Sequence, residues 1–221
     1  KVWAAAEAIG FHGANAIRTR VLADRPALTL GFILQKERHY FYAQFAEEIE
    51  SGGIHACLLT TDATVSCLGQ GVVNGELGNG TFTNSRLPVT VPSLTGVQTI
   101  AVGAHHTCAV LADTTVRCWG RNADGQLGNG TSSTSNVPVA VTGLTGVVDL
   151  EAGTSHTCAL LTDTTVRCWG ANADGQLGNG TTTPSNVPVT VTGLSGVGAL
   201  GAGLAHTCAT LTADGSVRCW G

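Results

Sequence analysis

Eight cysteines and four phased histidines are the residues of this chain with chemistry to offer, and their spacing decides which chemistry. The cysteines fall in pairs, Cys57/Cys67, Cys108/Cys118, Cys158/Cys168 and Cys208/Cys219, ten residues apart in the first three and eleven in the last. Within each pair lie an apolar stretch, a turn such as Thr162-Asp163-Thr164-Thr165, and a second short strand. Folding that hairpin about Asp163 sets Cys158 opposite Cys168, where antiparallel pairing brings α-carbons to ~4.5–5.5 Å, a separation a disulfide can span. One disulfide per hairpin is therefore predicted, each closing a short loop and contributing about 2–3 kcal/mol. The competing chemistry is zinc ligation. Each unit offers one His and two Cys without the tight CxxC-type spacing that gathers four ligands locally, and a His and a Cys two apart on a strand share a face without converging. No metal or other cofactor is expected.

The histidines His55, His106, His156 and His206 recur at intervals of 51, 50 and 50 residues. A general acid or base is needed once per site, whereas a structural hydrogen bond is needed in every copy of a repeat. The repetition assigns them a structural role, and the phased Trp119, Trp169 and Trp220 are read as packing residues. His105 stands outside the phase with no evident partner. The loops Asn122–Gly125 and Asn172–Gly175 hold too few carboxylates for calcium and read as turns. No nucleophile elbow, phosphate loop or in-phase carboxylate pair is present, so an enzyme is not expected.

The elements that must position these residues repeat with them. Each unit reads as four extended segments, as in Val147–Leu150, His156–Leu161, Val166–Trp169 and Val187–Val191. A period of about fifty residues means stacked supersecondary units, none able to bury its apolar surface alone. Pro88, Pro138 and Pro188 recur in the fourth segment; lacking an N–H, they belong on an edge strand or at a strand start. The hairpin strands are apolar on both faces, so each sheet must lie between neighbours, as propeller blades do. The predicted fold is mainly β, with about three complete repeats and a partial one over 54–221, divided near 54–104, 105–154, 155–204 and 205–221.

The pattern resembles the repeats of the regulator of chromosome condensation family (RCC1 repeats). The matching residues are the His opening the hairpin, Trp-Gly at its end (Trp119-Gly120, Trp169-Gly170, Trp220-Gly221), Gly-Gln-Leu-Gly (Gly125–Gly128, Gly175–Gly178) and the Pro-Val-x-Val segment. The resemblance implies a β-propeller, normally of seven blades, so these repeats would form an incomplete ring with open edges available for self-association. The paired cysteines look like those of secreted bacterial versions. The first copy departs from the pattern, with Leu68 for the tryptophan and an insertion with Glu for Gln in Gly71–Gly78.

Residues 1–53 share none of this and form a separate unit, a short α/β fragment. Ala4–Phe11, a second helix from Asn15, a strand over Leu28–Leu34 and an amphipathic helix over Phe41–Glu50 resemble the junction between the DNA-binding and effector domains of LacI-family transcription regulators. That resemblance implies a cytoplasmic origin for this segment.

Charge narrows the partners. Residues 54–221 carry five arginines, no lysine and nine acids, a balance that argues against nucleic acid, which needs clustered cations. No stretch is long and apolar enough to span a bilayer and no signal peptide is read. Paired cysteines imply an oxidising, extracytoplasmic compartment for the repeats. Copies differ at Arg121, Phe82, Arg86, Asp149 and Glu151, and propellers bind through variable loop positions. The expected function is a non-enzymatic scaffold that binds an unidentified protein. The alternatives are a fragment or chimera of a LacI-type regulator and a structural array without a specific ligand.

Overall fold

The computed structural model describes residues 30–33, 40–43 and 46–221. The described part is all β. Strands β1 (Leu30–Ile33) and β2 (Tyr40–Ala43) pair antiparallel. Three four-stranded antiparallel sheets follow: β3 (Ala46–Ser51) to β6 (Ser85–Thr90), β7 (Val97–Val102) to β10 (Ser135–Ala140), and β11 (Val147–Ala152) to β14 (Ser185–Thr190). A three-stranded sheet, β15 (Val197–Ala202), β16 (Thr207–Leu211) and β17 (Val217–Trp220), completes the series. Each sheet is a meander, and each is one blade.

Two expectations for residues 1–53 change. The helix predicted over Phe41–Glu50 is replaced by β2 and β3, and β3 is the innermost strand of the first blade. The strand predicted over Leu28–Leu34 coincides with β1, but β1 continues into a hairpin rather than a helix. The helices predicted over Ala4–Phe11 and from Asn15 lie outside the described residues.

Within each blade the second and third strands pair with the cysteines directly opposite: Cys57↔Cys67, Cys108↔Cys118, Cys158↔Cys168 and Cys208↔Cys219. All four pairs are disulfide-bonded, with α-carbons 4.1 Å apart. The proline-bearing strands β6, β10 and β14 are outer edges, bonded on one side only, where a missing N–H removes no ladder bond. The extra residue in the last hairpin is absorbed at Gly215, with φ of +69°.

The core lies between blades. Leu59, Val65 and Leu77 of the first blade pack with Ile100, Ala109 and Trp119 of the second. Val110, Val116 and Leu127 then pack with Leu150, Ala159 and Trp169, and Leu160, Val166 and Leu177 with Leu200 and Ala209. A single sheet thus has no core of its own, which is why the hydrophobic pattern of its hairpin is two-sided.

The inner strands approach closely where each ends in glycine. A Cβ on Gly153 would lie 2.5 Å from His156 Nδ1 and 2.7 Å from the carbonyl oxygen of Gly203 in the next blade. Gly153→Ala is therefore expected to destabilise the protein by about 1–3 kcal/mol through overpacking. Gly201→Ala, on the next inner strand with nothing within 4 Å of the added carbon, serves as the neutral control in chemical denaturation.

Candidate functional site

Each blade junction is built from the same parts, contributed head to tail. His55 Nε2 meets Thr107 Oγ1 of the next blade at 2.8 Å, His106 meets Thr157 at 2.9 Å, and His156 meets Thr207 at 2.9 Å. Trp119 Nε1 donates to the carbonyl of Glu76 (3.0 Å), Trp169 to Gln126 (2.8 Å) and Trp220 to Gln176 (2.9 Å). The glycine two residues after that carbonyl lies under the same indole: a Cβ on Gly128 would sit 2.8 Å from Trp169 Nε1, and its φ is +65°. No other residue satisfies both the close approach and the left-handed backbone. Thr114 and Thr164, at φ of +64° and +65°, hold a conformation unfavourable to a β-branched residue. Each turns its hydroxyl to accept from the next blade, from Gly146 N (3.0 Å) and Gly196 N (3.1 Å).

The tautomer at the second junction follows from counting protons. The Thr157 hydroxyl donates to the Gln126 carbonyl at 3.1 Å, so His106 must donate from Nε2–H, leaving Nδ1 as a bare acceptor. His55, His106 and His156 are all buried, and the Nδ1 of each has no hydrogen-bond partner. Burial holds these imidazoles neutral, with pKa lowered to about 3, about 3 and about 4; nearby histidines add to the effect. His206 is exposed. These side chains are engaged in holding blades together. Among the described residues no group of His, Cys, Asp and Glu could hold a metal ion.

The five variable positions are not brought to one place. Phe82 is 50% exposed on the first blade's loop, and Arg86 is exposed on outer strand β6. Arg121 sits on the second blade's loop, paired with Asp124 at 3.4 Å. Asp149, which falls in a segment expected to be extended, and Glu151, expected with it among the variable binding positions, are both on inner strand β11. Asp149 is buried, and its Oδ1 accepts from Leu150 N at 3.0 Å. Glu48 of β3 plays a similar part, accepting from Thr99 Oγ1 and from Ile100 N across the first junction.

The structure adds residues that sequence reasoning missed. Val72 and Val73 are 52% and 69% exposed in a turn closed by Gly75 N→Gly71 O, one residue wider than Gly125 N→Asn122 O. In the later blades a buried Asn122 or Asn172 ties this turn to the following arm. In the first blade the tie comes from the opposite arm, where Asn84 Oδ1 accepts from Gly71 N and Val72 N. Val72, Val73 and Phe82 therefore belong to one bonded loop structure, and the insertion at Gly71–Gly78 was its signal in the sequence. His105 also acquires a partner, the Glu76 carboxylate of the preceding blade at 3.8 Å.

Radially arranged four-stranded meanders, joined through His–Thr and Trp–carbonyl bonds, define a β-propeller. The sequence model of the regulator of chromosome condensation (RCC1) repeat matches residues 73–110, 115–160 and 165–210, more than half of the chain. The chain belongs to that repeat family. Among solved structures it is similar to yeast RCC1 (Prp20) bound to Kap60, with a TM-score of 0.71 and 20% identity over 84% of this chain and 46% of that one. Human WBSCR16 matches with a TM-score of 0.72 and 24% identity, covering 86% of this chain and 53% of the other. Prp20p from Saccharomyces cerevisiae, described with its binding to Gsp1p and histones, gives 0.69 and 20%, covering 84% and 48%. The chain thus spans about half the length of the structures it matches, and at these identities the likeness concerns the fold.

Proposed function

We propose that this chain is a non-enzymatic interaction scaffold, whose stapled blades present the loop face of the first blade to a protein partner. The observation carrying this reading is the exposure of three large apolar side chains, Val72, Val73 and Phe82, on that one loop structure. The corresponding stretches of later blades hold Ala123 with Ser132, and Ala173 with Thr182. Apolar anchors that one copy alone exposes are the kind of residue on which protein interfaces depend. Burial of His55, His106 and His156 supports a structural rather than a catalytic role for them. The four disulfides support an oxidising, extracytoplasmic setting.

Capture from extracts of the source organism tests this. Immobilised wild-type chain is expected to retain a protein that Val73→Asp and Phe82→Asp lose at least 10-fold, while Thr182→Asp, at an exposed site of the third blade, retains it. Equal capture by all four chains would remove the loop face from consideration.

A further inference from the structure

We propose that the blade junctions are acid-operated: protonation of His55, His106 and His156 breaks the His–Thr bonds and lets neighbouring blades part, while each disulfide-stapled hairpin stays folded. The geometry leaves a charged imidazole no means of satisfaction. The Nε2 of each ring is already engaged with a threonine hydroxyl of the next blade, and in His106 it is the Nε2–H that donates. A protonated imidazole carries N–H on both nitrogens, and Nδ1 is buried without an acceptor in all three rings. The walls cannot adapt, because the rings of His106 and His156 rest on Gly103 and Gly153, whose positions leave no room for a side chain.

A charged imidazole or guanidinium among the groups facing these rings opposes protonation as well. His55 faces His105; His106 faces His55, His105, His156 and Arg121; His156 faces His206. The Glu76 carboxylate lies against His105. Glu48, Glu50 and Asp149, on the inner strands, provide no acceptor to any of the three Nδ1 atoms. The only route to protonation is to open the junction.

The sign follows from linkage. Each imidazole has its pKa lowered from 6.5 to about 3 or 4 in the closed junction, so the open form binds more protons below pH 6.5. Closure is fully favoured above that pH, weakens as pH falls through it, and stops weakening near the lowered values. At pH 5 each histidine shifts the equilibrium roughly 30-fold toward opening, and three together shift it by about 10⁴-fold. The hairpin turns respond lower, since the hydroxyls of Thr115 and Thr165 hold the Asp113 and Asp163 pKa below 3.8. Their disulfides do not titrate. Hence pH 6.5 to 4.5 is a window in which junctions yield before hairpins.

The test is an acid titration of the intact chain from pH 7.5 to 4.5. It follows indole fluorescence, because Trp119 and Trp169 are buried in the junctions, and amide exchange of the hairpin strands. Expected are a reversible red shift between pH 6.5 and 4.5 with hairpin amides still protected, and a dependence of the denaturation midpoint on pH equivalent to about three protons taken up on unfolding. His106→Gln, whose amide can donate to Thr157 without titrating, should lower that uptake by about one. Should His106→Gln fail to fold, the wild-type proton uptake decides. Stability independent of pH from 7.5 to 5, unchanged uptake in a folded His106→Gln, or hairpin amides exchanging in step with indole exposure would each overturn the proposal.

Discussion

Reduction of the four disulfides is expected to leave the chain unable to refold. Each closes a hairpin loop with ten or eleven residues of separation, worth about 2–3 kcal/mol, so four together contribute on the order of 10 kcal/mol. Folded domains as a whole have only about 5–15 kcal/mol of net stability. The individual hairpin has little else to define it, because its apolar side chains find partners only in adjacent blades. Unfolding in denaturant with reductant, alkylation and dilution should give a chain with the circular dichroism of a coil, whereas the unreduced chain treated in parallel recovers its sheets. Recovery of β signal by the alkylated chain would show that interblade packing suffices alone. In the folded protein the bonds should fall in order. Cys57–Cys67, Cys108–Cys118 and Cys158–Cys168 are wholly inaccessible, while Cys219 is exposed, so mild reductant should label Cys208 and Cys219 first.

Replacing Trp169 by alanine is expected to be the most damaging single change in the repeats. The indole is 0% exposed, fills the second interblade core with Leu127 and Leu150, covers Gly128, and donates to the Gln126 carbonyl. Truncation of so large a buried side chain costs about 3–5 kcal/mol, and the lost indole hydrogen bond adds about 1 kcal/mol, the Gln126 carbonyl keeping only its bond from the Thr157 hydroxyl. Trp169→Phe keeps much of the packing and loses the hydrogen bond, and should cost about 1–2 kcal/mol. Urea denaturation of the three chains measures both differences. If phenylalanine and alanine cost the same, the hydrogen bond rather than the packing governs this junction.

Local pattern revealed the blades because their determinants are local: cysteines face each other across a ten-residue hairpin, and prolines mark the strand that has a neighbour on one side only. The junctions were hidden for the opposite reason. His106 and Thr157 are 51 residues apart in sequence, and no hairpin pattern says that one blade's histidine meets the next blade's threonine. Charge misled twice. Glu47, Glu48 and Glu50 beside Phe41, Phe45 and Ile49 give the four-residue apolar spacing of an exposed helix. Yet Glu48 is buried on an inner strand, because the free edge of β7 needs an acceptor for Ile100 N. Asp149 is buried for a related need at Leu150 N. Asn84 was equally hidden, since it makes from the opposite arm a tie that later blades make from Asn122 and Asn172.

The head-to-tail order of the junction bears on how such a chain can lengthen. Each blade gives its histidine and its Gly-x-Leu-Gly turn forward and its threonine and tryptophan backward. Copying any continuous stretch one period long, wherever the cut falls, restores every donor opposite an acceptor and every indole above a glycine. Unequal recombination between the near-identical second and third copies would therefore add or delete a unit without creating a mismatched seam. Divergence is free to accumulate at loop positions outside these turns, where no seam depends on it.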